Sequence, residues 1–220
     1  RPRWSPPAPD PYDPSIVKRL LVLAAASLLC LGLLGCAPED DAALTVNGDD
    51  ILSVGALTDE LDQMVGANEF LVASDARGEG GNLRSGFVGV VMSNHVFSAL
   101  LAEQLAEEGA EVTDADVEEG TSLLEDQLGA TPEGVAPLTL DQVPSDYRQT
   151  LIDLYSNFVA LVGALDDDAQ AAQDRLLEAR LAAEVEVADR YGRWDAEQGN
   201  VVPVEGPVTP TTAPLTAPVG

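Results

Sequence analysis

The segment from Tyr147 to Leu165 limits the fold more than any other stretch of this 220-residue chain. Tyr147, Leu151, Leu154, Phe158, Leu161 and Leu165 recur at intervals of four and three, the spacing that lines up one face of an α-helix. A second apolar line, Ile152, Tyr155, Val159 and Val162, runs beside the first. One line suffices to dock a helix. Two predict a helix over 145–165 wedged between several neighbours, so the chain should fold as a mostly α domain.

The remaining periodicity agrees. Leu57, Leu61, Met64 and Leu71 sit at helical spacing, with Val65 and Val72 at their flanks. After a Gly-rich break at 78–82, a long helix is expected over 85–108, with Val90, Phe97, Leu101 and Leu105 inward, widened by Val96 and Leu100, and Gly109 as its stop. Thr113 should cap a further helix, with Asp114 and Asp116 at the positive end of its dipole and Gly129 at its end. The same acidic residues, with Glu118 and Glu125, fall on positions 1, 3, 5 and 12 of a calcium loop. Glu119 occupies position 6, where the sharp turn needs glycine, so the capped helix is preferred. Asp166-Asp167-Asp168 should form a solvated turn that starts a last helix over 169–182.

Two short alternating segments bracket the helices. Leu44-Thr45-Val46, followed by the turn pair Asn47-Gly48, and Glu184-Val185-Glu186-Val187 both have the period of a half-buried strand. The expectation is that Ala43–Val46 pairs with part of Ala183–Val187, with Val185 and Val187 inward, and that proline at Val185 would remove a ladder hydrogen bond. From Gly199 onwards the chain becomes rich in Pro and Thr, and 196–220 is expected to be a disordered tail.

The first 42 residues have another logic. Residues 1–16 contain six prolines and form no regular element, as a disordered leader or a start assigned too early would. Lys18 and Arg19 then precede an uncharged run from Leu20 to Gly35, in the order of a secretory signal spanning 17–35. At 1.5 Å per residue that run is about 24 Å long, short for a ~30 Å hydrocarbon core. It ends in Leu33-Leu34-Gly35-Cys36, which resembles the lipobox of bacterial lipoproteins. The resemblance implies a diacylglyceryl group on Cys36, cleavage before it, a tether over 36–42, and residence on the outer face of the cell membrane. The only other cysteine, Cys30, would leave with the signal, so no disulfide and no thiolate chemistry are expected.

Charge excludes some partners. The formal net charge is −27, from 38 acidic and 11 basic residues. Loss of Arg1, Arg3, Lys18, Arg19, Asp10 and Asp13 with residues 1–35 leaves seven basic and 36 acidic residues, or −29. Nucleic acid would be repelled, and attachment to an anionic membrane requires the lipid.

Four segments resemble the SurA-type N-terminal chaperone domain, whose relatives include PrsA and trigger factor. They are ALTVNGDDIL at Ala43–Leu52, NEFLVA at Asn68–Ala73, NHVFSALLAEQLAEEGAEVTDADV at Asn94–Val117, and EVEVADRYGRWD at Glu184–Asp195. The resemblance implies a helical domain over 43–195, closed by its first and last strands. It further implies a non-enzymatic holdase for exported polypeptides. The alternative is an interaction subunit docking to one cell-envelope complex. Relatives often insert a parvulin prolyl isomerase domain of about 90 residues. Here only Asp166–Asp168 stands at the junction, and His95 is the sole histidine, expected to be solvated. Neither isomerase activity, a metal nor a cofactor is expected. Candidate client-binding residues, in an apolar cleft between helices, are Met64, Phe70, Phe87, Phe97, Tyr155 and Phe158.

Overall fold

A computed structural model describes residues 41–74, 76–77, 83–130 and 137–203. The leader, the signal segment, Cys36, the tether up to residue 40, the Gly-rich break at 78–82 and residues 204–220 lie outside them. The described part is mostly helical. In chain order it has β1 (Ala42–Val46), β2 (Asp49–Ser53), α1 (Val54–Gly66), α2 (Asn68–Ala73), α3 (Ser85–Glu108), α4 (Asp114–Gly129), α5 (Ser145–Ala164), α6 (Ala169–Ala182), β3 (Val185–Val187), β4 (Arg193–Asp195) and β5 (Asn200–Val202).

The strands closing the domain meet as expected. β1 is central in a three-stranded sheet of order β2-β1-β3, and Leu44, Thr45 and Val46 stand opposite Val187, Glu186 and Val185 in antiparallel register. Glu186 faces solvent, while Val185 and Val187 pack on the core. β2 was not foreseen. Asn47 and Gly48 both have positive φ, 53° and 88°, which folds β1 straight back into a hairpin. Asn47 also ties the turn to the closing strand. Its N–H donates to the Glu184 carbonyl at 2.7 Å, and its Oδ1 accepts from the Glu184 N–H at 3.0 Å.

The helices follow their caps. Ser53 Oγ accepts from the Ala56 N–H and starts α1. Gly109 ends α3 in the left-handed conformation, at φ 66°. Thr113 and Asp116 form a reciprocal capping box on α4, so the Asp116 carboxylate is occupied by the Thr113 N–H and hydroxyl, both at 2.7 Å. Asp166 and Asp167 turn the chain in left-handed conformations, and Asp168 Oδ1 accepts from the Gln170 and Ala171 N–H groups to start α6.

α5 lies between α3 and α4. It approaches α4 so closely that a Cβ on Gly120 would sit 2.6 Å from the Ser156 backbone nitrogen. The main core gathers Leu44 and Val46 from β1, Leu57, Leu61 and Met64 from α1, and Val88, Val91, Met92, Val96 and Leu100 from α3. A smaller cluster joins Leu101 and Leu105 of α3 to Ala160 and Leu161 of α5 and Ala172 of α6. Val90, expected inward, is 49% exposed. The covered face of α3 is rotated toward Gly89 and Ser93, two small residues outside the apolar line.

The reason is the start of the segment expected to be disordered: of 196–220 the structure describes 196–203, and there β5 joins β4 in a second, separate sheet. β4 and β5 pair antiparallel, with Arg193, Trp194 and Asp195 opposite Val202, Val201 and Asn200. Asp195 closes the loop between them through bonds from the Glu197 and Gln198 N–H groups to Oδ1. Val201, only 2% exposed, lies on α3.

Candidate functional site

Three groupings of functional side chains surround α3. The first is a buried polar cluster. Glu60 falls within the apolar line of α1, between Leu57 and Leu61, and is 4% exposed. Its Oε2 lies 2.9 Å from His95 Nε2, whose side chain is 15% exposed. His95 is therefore a partner of a buried carboxylate rather than a solvated residue, because Glu60 of α1 reaches it on α3. Glu60 Oε1 is buried with no hydrogen-bond partner among the described residues. The neighbouring Asn94 donates from Nδ2 to the Tyr147 hydroxyl at 2.7 Å. Burial holds the Tyr147 phenol well above its ordinary titration range, and the nearby Glu60 carboxylate adds to the shift.

The second grouping is a triangle of aromatic rings. Phe70 of α2, Phe87 of α3 and Tyr147 of α5 meet edge to face, with centroids 5.8, 6.1 and 6.5 Å apart. This geometry suits the ring quadrupoles and adds to the burial of apolar area.

The third is the seat of the β4–β5 hairpin. Ser93 Oγ donates to the Gly89 carbonyl at 2.6 Å and accepts from the Val201 N–H at 2.9 Å. A Cβ on Gly89 would stand 2.5 Å from the Val201 carbonyl oxygen, so glycine is what allows β5 to lie on the helix. Phe97 meets Trp194 edge to face at 6.0 Å. Arg180 Nη2 donates to the Glu197 carbonyl at 3.1 Å. Trp194 Nε1 and Arg180 Nε are buried with no hydrogen-bond partner among the described residues.

The six candidate client-binding residues do not form one cleft. Met64 is 0% and Phe70 3% exposed, so both are core. Phe87 is half-buried beside Phe70. Phe97 faces the hairpin, Tyr155 packs on the main core, and Phe158 packs on the smaller cluster. Burial also raises the Tyr155 phenol. Periodicity marks which side chains face inward on each helix, but it does not say which helix ends come together. The signals that would have found the groupings were present: a glutamate inside an apolar line at Glu60, and two small residues four apart at Gly89 and Ser93 on an apolar helix.

Among the described residues, no group of three or more His, Cys, Asp or Glu side chains is placed to hold a metal ion. Among the described residues, the large apolar side chains left exposed are aliphatic. They include Val117 and Leu123 on α4 and, one turn apart on α6, Leu177 and Leu181. Cys36, the expected lipid attachment point, lies outside the described residues. The chain matches no family model, no curated protein and no solved structure.

Proposed function

We propose that the chain is a lipoprotein anchored at Cys36 to the outer face of the cell membrane, whose helical domain holds exported polypeptides without catalysing a reaction on them. The observation that carries this reading is the order Lys18-Arg19, uncharged Leu20–Gly35, then Leu33-Leu34-Gly35-Cys36. Two acyl chains on one residue give stable anchoring where a single chain does not. β1 begins at Ala42, six residues after Cys36, so the tether reaches at most about 20 Å when fully extended. The domain would work close to the bilayer. The SurA-type resemblance supports the holdase reading, and so does the closure of a helical domain by β1 and β3. Only four residues, 165–168, separate α5 from α6, where relatives carry their isomerase domain. The surplus of acidic residues keeps complexes soluble and the domain clear of anionic headgroups.

A second reading, an interaction subunit of one envelope complex, is favoured by Leu177 and Leu181, 43% and 54% exposed on the outer face of α6. A fixed partner needs such a patch, and a holdase needs an adaptable groove.

The test combines anchoring with holding. Cys36→Ser should move the protein from the membrane fraction to the soluble fraction, and the wild-type mass should equal a chain starting at Cys36 plus diacylglyceryl. The membrane-extracted protein should delay aggregation of several unrelated reduced clients. An unmodified Cys36 would remove the anchor from the proposal. Protection of no client, together with one stoichiometric crosslinked partner in intact cells, would replace the holdase by the subunit.

A further inference from the structure

We infer that the seat of β5 on α3 is a groove for an extended polypeptide segment, and that β5 is its displaceable intramolecular occupant. The inference rests on the polypeptide-binding reading and gives it a location. α3 recognises β5 chiefly through backbone. Ser93 Oγ takes the Val201 N–H at 2.9 Å, and the missing side chain of Gly89 admits the Val201 carbonyl. The one side chain of β5 that is buried is a valine. Such a seat suits any extended segment with a small apolar residue at its centre.

The opposite edge of β5 pairs with β4. A segment replacing β5 would therefore add itself to β4 as a strand while lying on α3, a recognised way of holding extended peptides. Two further donors, Trp194 Nε1 and Arg180 Nε, are buried at this hairpin with no acceptor among the described residues. The carbonyls of a longer segment could take them. The hairpin is also suited to leave. Its strands have three residues each, and it forms a sheet apart from β2-β1-β3. Isolated two-stranded hairpins are marginal in water, so this one depends on its seat.

An occupied groove lowers the apparent affinity for a competitor by the fraction of time it is open. The experiment uses the full chain and a dye-labelled peptide copying residues 198–203, with binding read by fluorescence anisotropy. Val201→Asp burdens the seated strand with a charge but leaves α3 unchanged. It should bind the peptide at least about tenfold more tightly than wild type. Adding Gly89→Ala, which puts a methyl group where the carbonyl must pass, should abolish the gain. Equal affinity for wild type and Val201→Asp, with helical circular dichroism unchanged, overturns the inference. Should Val201→Asp unfold, the milder Val201→Ser carries the same comparison. A second readout needs no substitution: saturating peptide should accelerate hydrogen exchange at the Val201 amide, and no acceleration overturns displacement. Client protection that persists without peptide binding removes the groove alone. Loss of both removes the holdase reading as well.

Discussion

The domain is closed twice, and the two closures are built differently. At the first, β3 completes a sheet around β1, whose Ala43, Leu44 and Val46 are each 0% exposed. Backbone pairs with backbone, and the Asn47 side chain fastens the turn to Glu184. At the second, the β4–β5 hairpin lies on the side of α3, held by the Ser93 hydroxyl, the absent Cβ of Gly89, the Phe97–Trp194 edge, the Arg180 bond to the Glu197 carbonyl and the buried Val201 side chain. Among the described residues, two buried side-chain donors go without partners at the second closure, and none does so along β1 and β3. Val201 shares the main core with Leu44, so the closures differ in backbone pairing rather than in burial: a strand paired within a sheet is fixed along its length, while a strand resting on a helix can be a reversible attachment. The first closure should be lost only with the whole fold, and the second by local opening.

Matched deletions test this most strongly. Leu44 and Val201 are equally hidden, at 0% and 2% exposure. Leu44→Ala should cost about 2–5 kcal/mol in denaturant unfolding, the range for an aliphatic cavity in a packed core. Val201→Ala should cost the whole fold less than about 1 kcal/mol while speeding exchange at its own amide, because the loss is confined to a local opening. Equal global costs would make the hairpin part of the same cooperative unit and end the distinction.

A proline pair sharpens the first closure at a smaller scale. The Asn47 N–H donates to the Glu184 carbonyl, and the Ala188 N–H donates to the Ala43 carbonyl. Hydrogen-bonded pairs alternate along an antiparallel ladder, so the pair between these two is Thr45 with Glu186. The Val185 N–H points away from β1, and the expectation that proline at Val185 breaks the ladder is corrected. Glu186→Pro should cost about 1–3 kcal/mol, because it leaves the Thr45 carbonyl without its donor. Val185→Pro should cost less, and the reverse order in thermal melts would mean that the register is shifted by one residue.

The two closures also differ in how far the sequence discloses them. β1 and β3 carry alternation, and alternation states which face is buried, so their pairing follows from Leu44, Val46, Val185 and Val187. β2 was hidden because Asp49 and Asp50 face solvent and only Ile51 and Leu52 report a buried side. The hairpin was hidden more deeply. Arg193-Trp194-Asp195 and Asn200-Val201-Val202 are too short for a pattern, and the Pro- and Thr-rich composition begins immediately beyond them. Its complement was written elsewhere, as Gly89 and Ser93 on α3, and no local reading joins residues 108 positions apart. The polar cluster was legible in part: Glu60 stands in an apolar line, but its partner His95 is identified only when α1 lies on α3. Caps were the most legible features, since Thr113 with Asp116 and Asp168 act within their own turns.

The smallest effect at neutral pH, and the most selective, comes from titrating Tyr147. Its ring is 4% exposed and belongs to the same core as Leu44, and burial raises its pKa in the folded state. The unfolded chain releases this proton near the ordinary phenol value of about 10. The folded state keeps it to higher pH. The stability contributed by the neutral phenol is thus fully present below about pH 10 and is lost as the pH rises beyond it. Tyr147→Phe should flatten the alkaline loss of stability measured by urea unfolding. Part of the slope should remain, because burial also raises Tyr155. At neutral pH the same substitution should cost only about 1 kcal/mol, the net worth of the Asn94 hydrogen bond. Amides of β1 should lose exchange protection together with the alkaline transition, since they share that core. The Val201 amide should exchange by local opening before the transition begins. If the two sets of amides lose protection together, in wild type and Tyr147→Phe alike, then β5 is held as firmly as β3, and the groove on α3 has no free population to offer a client.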